Sequence, residues 1–225
     1  MKKKTFSVAI DGPAGAGKST LARAAAKELG FYYVDTGAIY RTVGYYMRLM
    51  GVGPKDKDGI ARLIDEVNID IRYADGVQHM ILNGKDVTDE IRTPLMSSYA
   101  SGVSAQACVR DFLLDMQREL ARRHNVVMDG RDIATVVLPN ADVKIFLTAS
   151  PEIRAKRRFA ELQAKGEKTT MEKVLSDMKA RDKQDSTRTV APLRCAPDAV
   201  KLDTSEMNLE EAKNAILELV RRKLG

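Results

Sequence analysis

The stretch GPAGAGKS, residues 12–19, matches the pattern G-x-x-x-x-G-K-[ST] in full. The apolar run TFSVAID (5–11) before it is typical of a buried strand, and the Ala-rich KSTLARAAAKEL (18–29) after it predicts a helix that ends at Gly30. Glycines let backbone N–H groups surround phosphate oxygens, and a helix N-terminus adds partial positive charge. The sequence therefore predicts a phosphate-binding loop between a strand and a helix of an α/β fold.

Two side chains at the end of the loop have predicted roles of their own. Lys18 is placed to reach the β- and γ-phosphates of a nucleoside triphosphate, and the Ser19 hydroxyl to ligate Mg²⁺. Asp129 ends a second apolar run, NVVMD (125–129), and is similar to the Walker-B carboxylate that helps to hold the metal. The predicted ATP-binding residues of the loop are Gly12, Pro13, Ala14, Gly15, Ala16, Gly17, Lys18, Ser19 and Thr20.

The composition fits an intracellular protein of one domain. The 225 residues are enough for one α/β domain with an insertion, and the net charge of +6 fits either an anionic small-molecule substrate or a nucleic-acid surface. Two cysteines form no C-x-x-C pair, the apolar run of MKKKTFSVAID stops at Asp11, and no run approaches ~18 apolar residues. We therefore expect a cytoplasmic protein without a membrane segment and, because no heptad seam is obvious, a monomer.

Hydrophobic periodicity predicts alternating helices and strands along most of the chain. Helices are predicted at 37–50, 58–68 and 95–123, from Ser150-Pro151, from a capping box at Thr169 and Glu172, and from near Asn208. Further core strands are predicted at 125–129, 143–147 and 200–203. This alternation favours a parallel sheet with helices on both faces.

Residues 63–92 interrupt the alternation. NIDIRY (68–73) and VQHMIL (77–82) read as strands, and the turn signals ADG and Asn83-Gly84 follow them. Strand, turn, strand is an antiparallel arrangement, which is foreign to a parallel sheet. The segment is therefore predicted to be an inserted antiparallel β subdomain.

Several polar groups follow predicted strands, where ligands bind in α/β folds. Arg131 and Asp132 come directly after the strand that ends at Asp129. The motif DTGAIYR places Thr36, Tyr40 and Arg41 in the first turns of a helix, where an anion is favoured.

The segment RAKRR (154–158) places Arg154 and Arg158 one helical turn apart, with Arg157 beside them. Like charges so placed repel by ~0.2–0.5 kcal/mol per pair unless an anion lies between them. A solvated basic face or non-specific nucleic-acid contact is the alternative. Following the third core strand of a phosphate-loop fold, the three arginines are interpreted as ATP-binding residues of a lid that closes over the triphosphate.

The octet RDKQDSTR (181–188) carries a one-sided set of charges. Arg181, Asp185 and Arg188 fall at i, i+4 and i+7, so they share one face of a helix. Taken alone, the octet favours a solvated helix end.

Four motifs together resemble the bacterial cytidylate kinases, which phosphorylate CMP and dCMP: GPAGAGKST, DTGAIYR, DGRDIATVV and RDKQDSTRTVAPL. The resemblance covers nearly the whole chain, the inserted segment included. The chain departs from the family pattern at Ala134, where Gly is more frequent, and at Thr36, where Ser is also frequent. The implied fold is a nucleoside monophosphate kinase-like parallel sheet with a phosphate loop, and the implied reaction uses ATP and Mg²⁺.

The resemblance implies a three-part acceptor site. The acceptor phosphate is held by residues matching Arg41, Arg131 and Arg188, the cytosine by Ser101, Arg110 and Asp132, and the sugar by Arg181 and Asp185. Thr36 is also expected to bind the acceptor. The residues expected to act in transfer are Lys18, Arg131, Arg158, Arg181 and Arg188.

The implied organisation is one kinase domain over residues 1–225 with three regions. The core takes about 1–36, 103–150 and 186–225, the acceptor-binding region with the β insert about 37–102, and the lid about 151–185.

Four alternatives to CMP phosphorylation remain at this stage, and the GTPase class is disfavoured. The same scaffold could phosphorylate UMP, another nucleoside monophosphate or shikimate, although the insert and Arg131 argue against shikimate. An ATP-dependent nucleic-acid-binding protein would explain the positive charge, but the arginines do not form a stripe and aromatics are only 5%. GTPases are disfavoured because their N-K-x-D motif requires an Asn-Lys dipeptide, which does not occur in this chain.

Overall fold

Two sheets organise the chain in the computed structural model, which describes residues 5–164 and 166–225. The strands in chain order are β1 (Ser7–Asp11), β2 (Tyr32–Asp35), β3 (Ile69–Ala74), β4 (Val77–Leu82), β5 (Lys85–Asp86), β6 (Val126–Gly130), β7 (Val143–Thr148) and β8 (Val200–Asp203). Five of them form a parallel sheet in the order β2-β6-β1-β7-β8, and β3, β4 and β5 form a separate antiparallel sheet. The predicted basic start includes residues 1–4, which lie outside the described residues.

Helices cover both faces of the parallel sheet. They are α1 (Lys18–Leu29), α2 (Thr36–Leu49), α3 (Lys57–Leu63), α4 (Pro94–Val103), α5 (Ala107–Arg123), α6 (Pro151–Ala164), α7 (Met171–Thr187) and α8 (Leu209–Leu224). Along β1 the side chains alternate between two cores: Val8 and Ile10 pack with α1 and α8, and Ala9 packs with α2 and α5. The predicted α/β class, a parallel sheet with helices on both faces and a small antiparallel insert, is confirmed.

The insert is a ribbon closed by tight turns. Strands β3 and β4 pair from Ile69 opposite Leu82 to Ala74 opposite Val77. Both turns have two successive positive φ angles, 51° and 75° at Asp75-Gly76 and 47° and 84° at Asn83-Gly84. Asn and Asp tolerate this conformation and Gly adopts it freely, as hairpin turns of this type require. The predicted insert and its Asn-Gly turn are confirmed.

Four local predictions need correction. Strand β2 is not predicted by the sequence patterns, because its four residues are too few to show a period. The helix predicted at 58–68 ends at Leu63 and continues only as the 3₁₀ turn Ile64–Glu66. The helix predicted at 95–123 is two helices, since Ser104 closes α4 and Gln106 opens α5.

The fourth correction concerns the start of α7. Thr170, not Thr169, caps this helix, because Thr170 has extended backbone angles and its Oγ1 accepts from Lys173 N at 3.2 Å. Glu172 then lies inside the first turn, so no capping box with Thr169 forms. At α8 the residues do form one, between Asn208 and Glu211. Among the described residues, no helix is both long and apolar enough to cross a membrane.

Candidate active site

The predicted phosphate-binding loop lies between β1 and α1. Its glycines at 12, 15 and 17 have positive φ angles of 151°, 71° and 85°. At Gly12 a Cβ would also overlap the Leu147 carbonyl oxygen, so this position requires glycine for both conformation and space. The loop ends at the first turn of α1, whose backbone N–H groups lack partners within the helix. This backbone is suited to phosphate oxygens.

Lys18 is buried within the loop, and its Nζ donates to the Pro13 carbonyl at 2.7 Å. Burial holds the pKa of Lys18 well below its ordinary value, and the guanidiniums of Arg131 and Arg181 lower it further, against the opposing effect of Asp129. Arg131, which follows Asp129, and Arg181, which lies in the octet 181–188, are thus electrostatic neighbours of the loop lysine. Three cations this close repel one another, and an anion between them would stabilise all three.

Asp129, near the end of β6, accepts hydrogen bonds from two hydroxyl groups. Ser19 Oγ donates to its Oδ2 and the Tyr33 hydroxyl to its Oδ1, both at 2.9 Å. Burial raises the pKa of Asp129 to about 6, and Asp35 adds to the rise. A cation would relieve this penalty, and the oxygens of Ser19 and Asp129 are the type that Mg²⁺ prefers. Among the described residues no three His, Cys, Asp or Glu side chains form a metal cluster, so water and phosphate oxygens would have to complete the coordination.

The start of α2 brings two predicted acceptor residues next to this cluster. Thr36 Oγ1 donates to the Asp129 carbonyl at 2.7 Å. Arg41 donates through Nη2 to Asp35 Oδ2 at 2.9 Å, while its buried Nε has no hydrogen-bond partner among the described residues. An unpaired guanidinium N–H beside the phosphate loop is an available donor for an anion.

A buried carboxylate between two guanidiniums forms a second cluster. Arg110 Nη2 donates to Asp132 Oδ2, and Arg188 Nη2 donates to Asp132 Oδ1 at 3.4 Å. Arg110 also lies over the Tyr40 ring, with its Cζ 5.5 Å from the ring centroid. All three charged groups are almost fully buried, which is costly unless they are paired with one another or with a ligand.

Ser101 joins this cluster from α4. Its buried Oγ has no hydrogen-bond partner among the described residues, and its carbonyl accepts from Ser104 Oγ at 3.1 Å. Ser104 also accepts from Arg188 Nη1 at 3.2 Å. Hydrogen bonds therefore connect the three predicted cytosine-reading residues and Arg188 into one network.

The octet contributes the third cluster, at the end of α7. Asp185 is buried, accepts from Arg131 Nε at 2.8 Å and lies 3.9 Å from Arg181 Nε. Burial would raise the pKa of Asp185, but Arg131 and Arg181 hold it below its ordinary value. Burial and, next in size, the neighbouring Arg131 lower the pKa of Arg181 to about 10. The charged face of the octet is thus packed against the protein, while Lys183, Gln184, Ser186 and Thr187 are exposed.

Arg154 ties the predicted lid to the phosphate loop. It donates through Nη1 to the Ala14 carbonyl at 2.9 Å and pairs with Asp182 at 2.7 Å. Met178 Cε would lie 2.6 Å from a Cβ at Gly15, so α7 also contacts the loop.

The structure does not bring the other two lid arginines to the loop. Arg157 donates to Oγ1 and the carbonyl of Thr204, at 3.2 and 2.7 Å, in the segment after β8. Arg158 pairs with Glu161 on its own helix at 2.9 Å and is partly exposed. Their role in ATP binding stays a prediction.

Sequence reasoning missed Asp11, the last residue of β1. Its two carboxylate oxygens accept from Ile133 N at 2.9 Å and Ala134 N at 2.8 Å, and burial raises its pKa to about 7. Asp11 thereby holds the turn that follows Arg131 and Asp132. Its position between a buried strand and the glycine motif is the signal that could have identified it. Ala134 does not have a positive φ, so this departure from the family pattern fits the backbone.

Comparison with known proteins gives one consistent result. A family model described as "Cytidylate kinase" matches residues 8–222. A cytidylate kinase of Carboxydothermus hydrogenoformans is 49% identical over 216 residues, 96% of this chain and 97% of the relative, and one of Caldicellulosiruptor bescii is 48% identical over 96% of each. Among solved structures, an uncharacterized protein from Eubacterium ventriosum is similar in fold, with a TM-score of 0.54 and 12% identity over 96% of this chain and 99% of that one.

Proposed function

The chain belongs to the cytidylate kinase family, and on this premise we propose that it transfers the γ-phosphate of ATP to CMP or dCMP, giving CDP or dCDP. The observation that carries the proposal is that Asp129 joins the two sides of the site, because its side chain accepts from Ser19 of the donor loop and its carbonyl accepts from Thr36 of the predicted acceptor site. Phosphoryl transfer between two nucleotides requires the neutralisation of two repelling anions and their in-line alignment. Cations from both sides of one site meet that requirement.

On the donor side, the backbone of residues 12–20 would hold the triphosphate and Lys18 would contact its β- and γ-phosphates. Ser19 and Asp129 would hold Mg²⁺, which supplies charge neutralisation of the phosphates when bound. Ser19 Oγ already donates to Asp129 Oδ2, so the two oxygens lie 2.9 Å apart.

On the acceptor side, Asp132 would accept from the cytosine N4 amino group, and Arg110 and Ser101 would donate to N3 and O2. Uracil would present its O4 acceptor to this carboxylate, and two acceptors with no proton between them repel. The burial of Asp132 supports strong discrimination, because a site built on such hydrogen bonds rejects the wrong partner by up to about 10⁴-fold.

The remaining acceptor residues would bind phosphate and sugar. Arg41, Arg131 and Arg188 would hold the acceptor phosphate with Thr36 beside them, while Asp185 and Arg181 would bind the sugar. The nucleophile needs no general base, because a nucleoside monophosphate has a second pKa of ~6 and is mostly dianionic at neutral pH.

Lid closure would complete the site. In the proposed division, residues of about 151–185 form the lid over a core of about 1–36, 103–150 and 186–225, with the acceptor region at about 37–102. Arg154 already contacts the loop, and Arg157 and Arg158 would join the ATP phosphates as the lid closes and excludes water. Arg131, Arg158, Arg181 and Arg188 would then stabilise the transferring phosphoryl group together with Lys18.

Surroundings and partners complete the proposal. The enzyme would act as a cytoplasmic monomer on ATP and CMP or dCMP, without nucleic acid or a membrane. Two free cysteines, Cys108 and Cys195, are consistent with a reducing compartment.

A coupled ADP-release assay with Mg²⁺ tests the function. CMP, dCMP, UMP and single-stranded DNA or RNA are compared as the second substrate, and Lys18→Ala serves as the inactive control because it removes the phosphate-contacting amine. We expect release with CMP and dCMP, much less with UMP, and none with the Lys18→Ala protein. ADP release that depends on nucleic acid and is absent with CMP contradicts the proposal. ADP release that is equal with UMP and CMP supports the alternative in which UMP is an acceptor.

A further inference from the structure

Strand β2 is an edge strand of the parallel sheet, and one row of its backbone groups has no neighbouring strand. Tyr32 N donates to the Asn125 carbonyl, so the groups of Tyr32 point toward β6. Backbone groups alternate in direction along a strand, so those of Tyr33 and Asp35 point the other way. Open edges need partners from elsewhere in the chain.

Two side chains of the inserted sheet supply those partners. The Tyr73 hydroxyl donates to the Tyr33 carbonyl at 3.0 Å. Gln78 pairs with both backbone groups of Asp35: its Oε1 accepts from Asp35 N at 2.8 Å and its Nε2 donates to Asp35 O at 3.3 Å. Gln78 is only 5% exposed, so this amide pair is enclosed.

Asp35 is also the residue that orients Arg41. It is the N-cap of α2, with Oδ1 accepting from Ala38 N at 2.8 Å and Oδ2 paired with Arg41 at 2.9 Å. Gly37 leaves room for this pair, because a Cβ there would lie 3.1 Å from both Arg41 Nη1 and Asp35 Oδ1. Gln78 holds the backbone of Asp35, and the side chain of Asp35 holds Arg41.

We propose that Gln78 is a positioning residue of the acceptor site: the inserted sheet orients Arg41 for the acceptor phosphate through the amide pair between Gln78 and Asp35. The inference rests on the proposed function and extends it to the insert. Gln78 itself touches no reacting atom, so its loss should weaken acceptor binding while donor binding stays the same.

The test compares Gln78→Met, which keeps the length of the side chain and removes both hydrogen bonds, with Tyr73→Phe. The control removes one bond from the same edge of β2 but leaves Asp35 in place. We expect Gln78→Met to raise KM for CMP about tenfold, with KM for ATP and kcat changed less than about threefold. Tyr73→Phe should leave all three within about twofold. If Gln78→Met does not fold, Gln78→Glu takes its place; it keeps the acceptor for Asp35 N but replaces the amide donor to Asp35 O and Met80 with a carboxyl oxygen.

A double-mutant cycle with Arg41→Ala separates positioning from general stability. If Gln78 acts through Arg41, Gln78→Met should change KM for CMP less than about twofold once Arg41 is absent. The melting temperature is measured for every variant. A KM for CMP that rises equally in both backgrounds, or no more than in Tyr73→Phe, overturns the inference.

An assay of the unmodified protein distinguishes a failure of the proposed function from a failure of the inference about Gln78. No CMP-dependent ADP release there contradicts the function and with it the role of Gln78. Normal CMP turnover with an unchanged KM in Gln78→Met contradicts the role of Gln78 alone.

Discussion

At Asp132, one buried carboxylate is paired with two guanidiniums, those of Arg110 and Arg188, and this pairing is the proposed basis of base selection. Each of its two oxygens accepts a hydrogen bond from one of these cations. An ionised carboxylate can only accept hydrogen bonds, so it favours a base that presents an amino group. The proposed selectivity for cytosine therefore depends on Asp132 and its two cationic partners.

Asp132→Ala should raise KM for CMP and reduce the preference for CMP over UMP. We expect the ratio of kcat/KM values for the two acceptors to fall at least about tenfold, because the acceptor for N4 and the repulsion of O4 disappear together. The measurement is the ratio of kcat/KM for CMP to that for UMP. Asp132→Asn, which keeps the shape and can donate to O4, serves if the alanine variant is unstable. A ratio that stays constant in both variants would exclude Asp132 from base reading.

Asp185→Ala should impair nucleotide use far more than folding. Its carboxylate holds Arg131 and Arg181, so its loss releases two proposed transfer residues at once. We expect kcat/KM to fall by about 100-fold or more, since the charge-assisted hydrogen bond to Arg131 contributes about 1.5–3 kcal/mol and the ion pair with Arg181 is lost as well. The exposed Asp177 on the same helix pairs with Lys173 at 3.4 Å and with no other residue that the structure describes, so Asp177→Ala is the matched control. A large loss of stability with normal kinetics would make Asp185 a structural residue.

At the scale of elements, α6 carries two arginines in different environments. Arg154 is buried and connects α6 to the phosphate loop through Ala14 and to α7 through Asp182. Arg158, one turn later, is partly exposed and pairs only with Glu161 among the described residues. One helix thus holds a buried arginine that contacts the phosphate loop and a partly exposed arginine that pairs within the helix.

Arg154→Ala and Arg158→Ala should therefore have different effects. Removing Arg154 leaves Asp182 without its buried partner and should lower the free energy of unfolding by about 2–4 kcal/mol. Removing Arg158 should change stability by less than about 0.5 kcal/mol but lower kcat, because its proposed contact forms only during transfer. Urea denaturation and steady-state kinetics on both variants measure this. Equal stability losses would contradict the distinction.

At the scale of the whole molecule, the carboxyl ends of β1, β2 and β6 bring the clusters to one edge of the sheet. Asp11 ends β1 and holds the turn after β6. Asp129, next to the last residue of β6, accepts from Ser19 and Thr36. These buried carboxylates have raised pKa values of about 7 and about 6. The site thus contains carboxylates in buried positions, where the ionised form is disfavoured.

The burial of these carboxylates makes stability depend on pH. The pKa of Asp11 is raised by burial to about 7 in the folded chain, so between about pH 4 and pH 7 the folded state binds a proton that the unfolded chain has already lost. Its contribution to stability is present below about pH 4 and is lost as the pH rises toward 7. We expect the unmodified protein to lose roughly 2–4 kcal/mol more unfolding free energy over this range than Asp11→Asn does. Parallel pH profiles of the two proteins would contradict the assignment.

The phosphate loop, the α/β class and the antiparallel insert could be predicted because each depends on neighbours in sequence. The glycine pattern, the hydrophobic period and the Asn83-Gly84 turn are local properties. Strand β2 was missed because four residues show no period, and the break at Ser104 because Ser is compatible with a helix interior.

By itself the sequence determined the glycine pattern of the donor loop and the α/β class, and family resemblance predicted the acceptor residues. Only the tertiary structure decided which charges meet: Arg131 with Asp185 across 54 positions, and Asp11 with the turn at Ile133 across 122. It also showed that Gln78 holds Asp35. The physical reason is that pairing energies depend on distance and burial in space, which spacing along the chain specifies only within a single helix or turn.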